Sequence, residues 1–310
     1  MAGVEADRRG LSNILLDEEE AEDENGTFFE ASLFVDKSYV LRSFSFNDIS
    51  VPLYCLAAAT TDYDLTGQIV WPGAAILADY LTAHPQEVAG KAVVEVGAGA
   101  GLAGLVCAHV GSSAVTLTDH NSEVLQVVQR NVHHHNLLFQ QRASASCSPT
   151  LECAQLEWAD QQHLDALLAA HPTGFDVIIG ADICYQQCHV PPLFTCIKAL
   201  LSARQQQAIS SSQLRSSHHG PGHDLLHDAP QETSAIDARV CEEVASQHAK
   251  LPPSSFILAY VERHLSTTKV VWEAARDSGL HLEAIEGTER KTADGFYQAR
   301  IYRATLPPMV

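Results

Sequence analysis

Apolar positions along this chain fall into two alternating rhythms. Residues 92–96 (Ala-Val-Val-Glu-Val) are a short, almost wholly apolar run that stops at glycines, the pattern of a strand buried on both faces. An Ala-rich helical stretch over 102–110 follows, and then a second strand over 114–118 (Ala-Val-Thr-Leu-Thr), stopped by Asp119. Over 122–136, Val124, Leu125, Val127, Val128 and Val132 share one helical face. A third strand is predicted over 151–158 and a short helix over 162–171. A fourth strand over 175–180 (Phe-Asp-Val-Ile-Ile-Gly) leads to a helix over 193–203. Residues 256–261 read as a fifth strand, and 270–278 as an amphipathic helix closed by Gly279. Two strands, 281–285 and 296–302, finish the chain. Ahead of all this, Gly67-Gln68-Ile69-Val70-Trp71-Pro72 introduces a helix over 74–81, with Pro72 in the first helical turn. Such alternation predicts an α/β fold: a doubly wound, mostly parallel seven-stranded sheet with helices on both faces.

Two stretches break the rhythm. Seven acids crowd the eight residues 17–24, and this run repels itself, so residues 1–26 read as an acidic, disordered tail. From about 205 to 250, Gln, Ser, His, Gly and Pro displace large apolar residues, and no period persists. That segment reads as a low-complexity surface insertion with one short helix over 238–249. Residues 27–310 then form a single domain with a lead-in over 27–90.

Charge and cysteine usage narrow the function. The 310 residues carry 38 Asp+Glu against 19 Lys+Arg, a net charge of −19, so there is no basic footprint for nucleic acid. The longest apolar runs are far short of the roughly 18 residues that span a bilayer. Arg8 and Arg9 are followed by a brief apolar stretch and then acid, which is not a signal-peptide pattern. Eight cysteines without a CxxC pair suit reduced thiols, so a cytoplasmic location is expected, with the nucleus as a second compartment. A monomer is expected.

Ligands in doubly wound sheets sit at the carboxyl ends of strands. The first strand ends in Glu95-Val96-Gly97-Ala98-Gly99-Ala100-Gly101-Leu102-Ala103-Gly104. Counted from Gly97, this is acid-x-Gly-x-Gly-x-Gly, the form that cradles S-adenosylmethionine. Counted from Gly99, it is Gly-x-Gly-x-x-Gly, the dinucleotide fingerprint. The second count starts three residues beyond Val96, later than that fingerprint wants, and gives Glu95 no role. Asp119 can accept both ribose hydroxyls of an adenosine, or it can cap the helix near Ser122. Trp158 can stack on adenine or serve as a rim residue. The fourth strand ends in Gly180-Ala181-Asp182-Ile183-Cys184-Tyr185, placing a carboxylate and a phenol beside the reacting end of the ligand. The plainer alternative is a turn Asp with a packed Tyr.

Together these residues closely resemble the class I, seven-β-strand methyltransferases, with their Rossmann-like fold. More narrowly they resemble the non-histone protein-lysine branch, the methyltransferase-like 21 kind. The resemblance covers roughly 30–204 and 251–304. It rests on Val70-Trp71, the Glu95–Gly101 loop, Asp119, Leu156-x-Trp158 and Gly180-Ala181-Asp182-x-x-Tyr185, with 256–263 and 299–303 resembling the family's fifth and closing strands. It implies S-adenosylmethionine as cofactor and a protein substrate presenting a lysine on a basic surface. Gly97, Ala98 and Gly99, after Glu95, would hold the methionine moiety, with Trp71 nearby. Asp119 would take the ribose, Trp158 the adenine edge, and Ala181 would line the pocket. Asp182 and Tyr185 would face the substrate as the catalytic pair. One departure is Ala159-Asp160, where the branch usually has Gly after the Trp.

Other chemistries have weaker support. His133-His134-His135 are consecutive on a helix and point in different directions, so no metal is expected. Cys184 and Cys188 could form a redox pair but read more simply as ordinary thiols. A nicotinamide-dependent oxidoreductase stays open through Gly99-x-Gly101-x-x-Gly104, and so does a non-catalytic scaffold.

Overall fold

A computed structural model describes residues 39–56, 63–142, 148–216 and 254–307. All of them belong to the compact unit Ser38–Val310. The acidic tail and the helix expected over 238–249 lie outside the described residues.

Within the expected lead-in, the described residues open with a separate antiparallel hairpin, β1 (Tyr39–Phe46) and β2 (Ile49–Leu56). Only β2 alternates cleanly, with Val51, Leu53 and Cys55 buried, while β1 is largely exposed. The helix α1 (Pro72–Ala83) follows, and then the main sheet: β3 (Ala92–Val96), α2 (Leu102–His109), β4 (Ala114–Asp119), α3 (Ser122–Arg142), β5 (Thr150–Gln155), α4 (Gln161–Ala170), β6 (Val177–Ala181) and α5 (Val190–Ser216). After it come β7 (Ser255–Glu262), α6 (Leu265–Asp277), β8 (His281–Ala284), β9 (Arg290–Lys291) and β10 (Gln298–Thr305). The sheet order is β5-β4-β3-β6-β7-β10-β8, and β9 pairs with the opening of β10. The pairs among β5, β4, β3, β6 and β7 are parallel, and β10 runs antiparallel to its neighbours. The seven expected strands are therefore present, and the two-residue β9 is an eighth.

Strand pleating explains why helices cover both faces. Val93 and Val94 point to opposite sides: Val93 joins Leu77 of α1, Leu105 of α2 and Val128 of α3. Val94 joins Leu164 of α4, Leu193 and Ile197 of α5, and Val271 of α6. Along α5, Leu193, Phe194, Ile197, Leu200 and Leu201 repeat at helical spacing and are fully buried. Each such side chain contributes about 1.5–3 kcal/mol of burial.

Several boundaries differ from the sequence-based expectation: the third strand ends at Gln155 rather than 158, the helix over 122–136 runs on to Arg142, and the helix expected from 270 starts at Leu265. The backbone of α5 stays helical to Ser216, past 205, because Gln205, Gln206, Gln207 and Ala208 are good helix formers however polar. The last strand starts at Gln298 rather than 296, because Asp294 and Gly295 build a turn just before it.

Candidate functional site

The parallel order reverses at β3, with β4 on one side and β6 on the other, and the loops after these three strands diverge. A cavity of about 310 Å³ opens there, and all ten residues singled out from the sequence border it.

The glycine loop is built from backbone needs. Gly97, Gly99 and Gly101 have φ of +63°, +54° and +89°, the left-handed region that a side chain disfavours. A Cβ on Gly97 would lie 2.8 Å from Ile183, and one on Gly99 would lie 2.7 Å from the Gly67 carbonyl oxygen. Ala98 N donates to Thr118 O at 2.8 Å, tying the loop to β4.

Gly97 and Gly99 border the cavity, whereas Gly101 and Gly104 turn inward toward Leu117 and Glu95. Glu95 borders the cavity and also serves the backbone behind it. Its Oε2 accepts a 2.8 Å hydrogen bond from Gly104 N, in the first turn of α2. The cap position, Gly101, has no side chain, so the buried carboxyl beneath it satisfies that helix-end donor instead. A Cβ on Gly104 would sit 2.6 Å from this oxygen, so the glycine is required there without any dinucleotide. Burial pushes the Glu95 carboxyl up to about 8; the Gly104 hydrogen bond opposes that, and the Asp119 charge adds to it.

Asp119 closes β4. Its Oδ2 accepts from Gly99 N at 3.1 Å and its Oδ1 from Asn121 N at 3.2 Å, with His120 Nδ1 also 3.2 Å away. It does not cap α3. Asn121 does, accepting from Glu123 N (2.8 Å) and Val124 N (3.2 Å). Asp119 keeps lone pairs for a ligand.

Trp158 lies three residues past the end of β5, with its ring against Gly97. The unexpected Asp160 two residues on is the cap of α4, accepting from Gln162 N and His163 N. Trp71 also borders the cavity and donates from Nε1 to Thr66 O at 2.9 Å.

Asp182 borders the cavity just past Ala181, and its carboxylate is gripped from two sides. Oδ2 accepts from Gly73 N at 3.2 Å, in the first turn of α1, and from Arg263 Nη2 at 2.9 Å. Arg263 Nη1 bonds Oδ1, completing a bidentate pair. The residue also holds φ +61°, a left-handed value that costs a non-glycine residue energy and persists only where its surroundings over-determine it. Tyr185, by contrast, is 47% exposed at the rim, so it is no packed core residue.

Asp119, Glu157 and Asp182 set three carboxylates against the one guanidinium of Arg263 around this cavity. That is a field suited to a cationic ligand. A family model described as "Lysine methyltransferase" matches residues 56–220, just over half of the chain. The chain belongs to this lysine methyltransferase family. Human "Protein-lysine N-methyltransferase EEF2KMT" is 31% identical over 153 residues, 49% of this chain and 45% of that protein. Zebrafish "Protein N-lysine methyltransferase METTL21A" is 33% identical over 135 residues, 43% and 55% of the two chains. The Arabidopsis thaliana "Calmodulin-lysine N-methyltransferase" is 30% identical over 144 residues, 46% and 43%. The chain thus spans about half the length of these curated relatives.

The geometry adds Arg263 to the cavity wall and, behind it, Asn131, which does not border the cavity but ties down the glycine loop. Arg263 ends the 256–263 segment that resembles the family's fifth strand, and a lone basic residue just past the strand was its only signal. Asn131, fully buried in α3, donates from Nδ2 to Tyr54 O and Ala100 O (both 2.9 Å) and accepts from Tyr54 N (2.7 Å). It fastens the N-terminal hairpin to the glycine loop. The histidine tract does similar work: His135 Nε2 contacts Pro52 O at 2.7 Å and its Nδ1 contacts His109 Nε2 at 3.0 Å. Cys184 is buried and Cys188 exposed, and both are free thiols.

Proposed function

We propose that the protein transfers a methyl group from S-adenosylmethionine to a lysine side chain of a non-histone protein. One observation carries this reading: a single cavity joins the Gly97–Gly99 loop and Asp119 at one part of its wall to Asp182, Tyr185 and Arg263 at another.

The residues present suit the cofactor. Two backbone-only glycines, a carboxylate with unspent lone pairs and the apolar walls of Leu156, Trp158 and Val124 make an adenosine-sized cradle. Gly97, Ala98 and Gly99 would hold the methionine part, Asp119 the ribose and Trp158 the adenine. When bound, the cofactor supplies an electrophilic methyl on a sulfonium. The chain's own residues then align and desolvate the acceptor. A lysine must first lose its proton, which costs about 4–5 kcal/mol at pH 7 from a reference pKa near 10.4. Tyr185 at the rim would meet an ammonium or amine with its ring or hydroxyl. Asp182, clamped by Gly73 N and Arg263, is a positioning group that fixes the adjoining Ala181 wall and the start of α1.

Incubation of the protein with tritiated S-adenosylmethionine and a cell extract, followed by mass spectrometry of the labelled band, tests the reading. A methyl-lysine peptide is expected, and labelled arginine, histidine or small molecules only would refute it. Asp182→Ala should abolish transfer while S-adenosylhomocysteine affinity stays within a few-fold. Equal loss of both would sink the positioning role. A monomeric, cytoplasmic enzyme belongs to the same proposal.

A further inference from the structure

The turn between β9 and β10 displays an aromatic side chain on a fixed backbone. Phe296 is 82% exposed. Thr292 N donates to Tyr297 O at 2.9 Å, and Tyr297 N donates to Thr292 Oγ1 at 3.1 Å. Asp294 Oδ1 accepts from Phe296 N at 3.0 Å and from Thr292 Oγ1 at 2.5 Å. Gly295, with φ +77°, donates to Thr292 O at 2.8 Å. The turn therefore satisfies its own polar groups and holds Phe296 out of the core.

This turn stands beside the cavity. The Tyr297 ring centre is 5.8 Å from the Arg263 guanidinium carbon, and Arg263 borders the cavity and grips Asp182. Two residues after Arg263, Leu265 is 81% exposed at the start of α6. Gln187 Nε2 donates to Ser266 Oγ at 3.0 Å, tying that helix start to the segment carrying Gln186 and His189, which border the cavity. Tyr185 lies on the same rim. Exposed apolar side chains grouped around a cleft, with polar neighbours, mark a protein contact.

We propose that Phe296, with Leu265 and Tyr185, forms the docking rim for the protein substrate. Its occupant is a polypeptide segment carrying an apolar side chain close to the lysine that enters the cavity. Charge favours that partner over a neutral one: the cavity holds an excess of carboxylates, and Asp294 stands on the tip next to Phe296. The inference rests on the lysine-transfer reading and deepens it by naming what lies beside the lysine.

The test uses the full chain, tritiated S-adenosylmethionine and short synthetic peptides. Each peptide has one central lysine among Gly and Ser, with a Leu scanned through the other positions. The wild type should methylate peptides with Leu at one or two particular spacings at least about tenfold faster than the Leu-free peptide. Phe296→Ser should erase that preference while leaving the Leu-free rate and the S-adenosylhomocysteine-induced melting shift unchanged, and Phe296→Leu should restore it. No Leu preference in the wild type, or an intact one in Phe296→Ser, overturns the docking rim and leaves the lysine reading standing. If no peptide is methylated, the labelled band from extract decides. A drop of about tenfold or more in its labelling by Phe296→Ser supports the rim, and equal labelling overturns it. Absence of any labelled band sinks both readings. Sedimentation provides the remaining outcome: a dimer lost in Phe296→Ser would assign the surface to a second copy and refute the proposal.

Discussion

Glu95→Gln should stabilise the protein, because the wild-type carboxyl is held where it cannot ionise cheaply. Glu95 sits in β3 between Leu117 of β4 and Ile179 of β6, and burial lifts its pKa from 4.5 to about 8. Below about pH 4.5 both the folded and unfolded chains hold the proton, so the group contributes nothing. Between about 4.5 and 8 the unfolded chain ionises and the folded one does not, so folding must take up a proton. The penalty grows by about 1.4 kcal/mol per pH unit, reaching on the order of 3 kcal/mol at pH 7 and levelling near 5 kcal/mol above pH 8. Glutamine has nearly the same shape, cannot ionise, and keeps a carbonyl oxygen for the Gly104 N–H. Urea unfolding of both proteins in steps from pH 5 to 9 measures the difference. The advantage of the variant should widen up to pH 8 and then flatten. A difference independent of pH, or a variant weaker than wild type at pH 7.5, would show that the buried carboxyl is ionised and satisfied, and would refute a neutral acid in β3.

Arg263→Gln leaves the Asp182 carboxylate, 2% exposed, without its cation, and should cost about 3–5 kcal/mol. Adding Asp182→Asn should recover part of that loss in a double-mutant cycle followed by urea unfolding. Asn131→Ala strands the Ala100 carbonyl and both Tyr54 backbone groups and should cost on the order of 3 kcal/mol, with weaker S-adenosylhomocysteine binding by calorimetry because the glycine loop loses its tie. Asp119→Ala should lower S-adenosylhomocysteine affinity by at least about tenfold, a loss of roughly 1.4 kcal/mol, in the same experiment. Unchanged affinity would remove the carboxylate from the cofactor cradle.

The parallel sheet was legible because its strands are buried on both faces, and short apolar runs that end at glycine, such as 92–96 and 175–180, fit little but a central parallel strand. The glycine loop and Asp119 followed from their places at strand ends. The N-terminal hairpin went unread, because its outer strand is mostly exposed and only Phe44 and Phe46 at its end reach the core. Asp182 was legible as a residue of the site, but its clasp was not. Its partner Arg263 lies 81 residues further on, and no local pattern shows which strand end will meet another. Glu95 was noticed as a costly acid, yet its service to the α2 terminus depends on a glycine at the cap position that only the folded loop reveals.

The Asp182–Arg263 clasp has a bearing on how the chain is assembled. The region matched by the family model, 56–220, contains Asp182 and Gly73 but stops before Arg263 and before β7, the strand that parallels β6. A fragment ending there would carry the glycine loop and Asp119 yet hold a buried carboxylate with no counter-charge. The later fragment would carry the counter-charge, the turn with Phe296 and the antiparallel edge. Cutting the chain between Ser216 and Ser254 and expressing the halves together should therefore let the two pieces rebuild one fold. Neither half alone would complete the cavity, and the sheet itself would be the adhesive that reunites them.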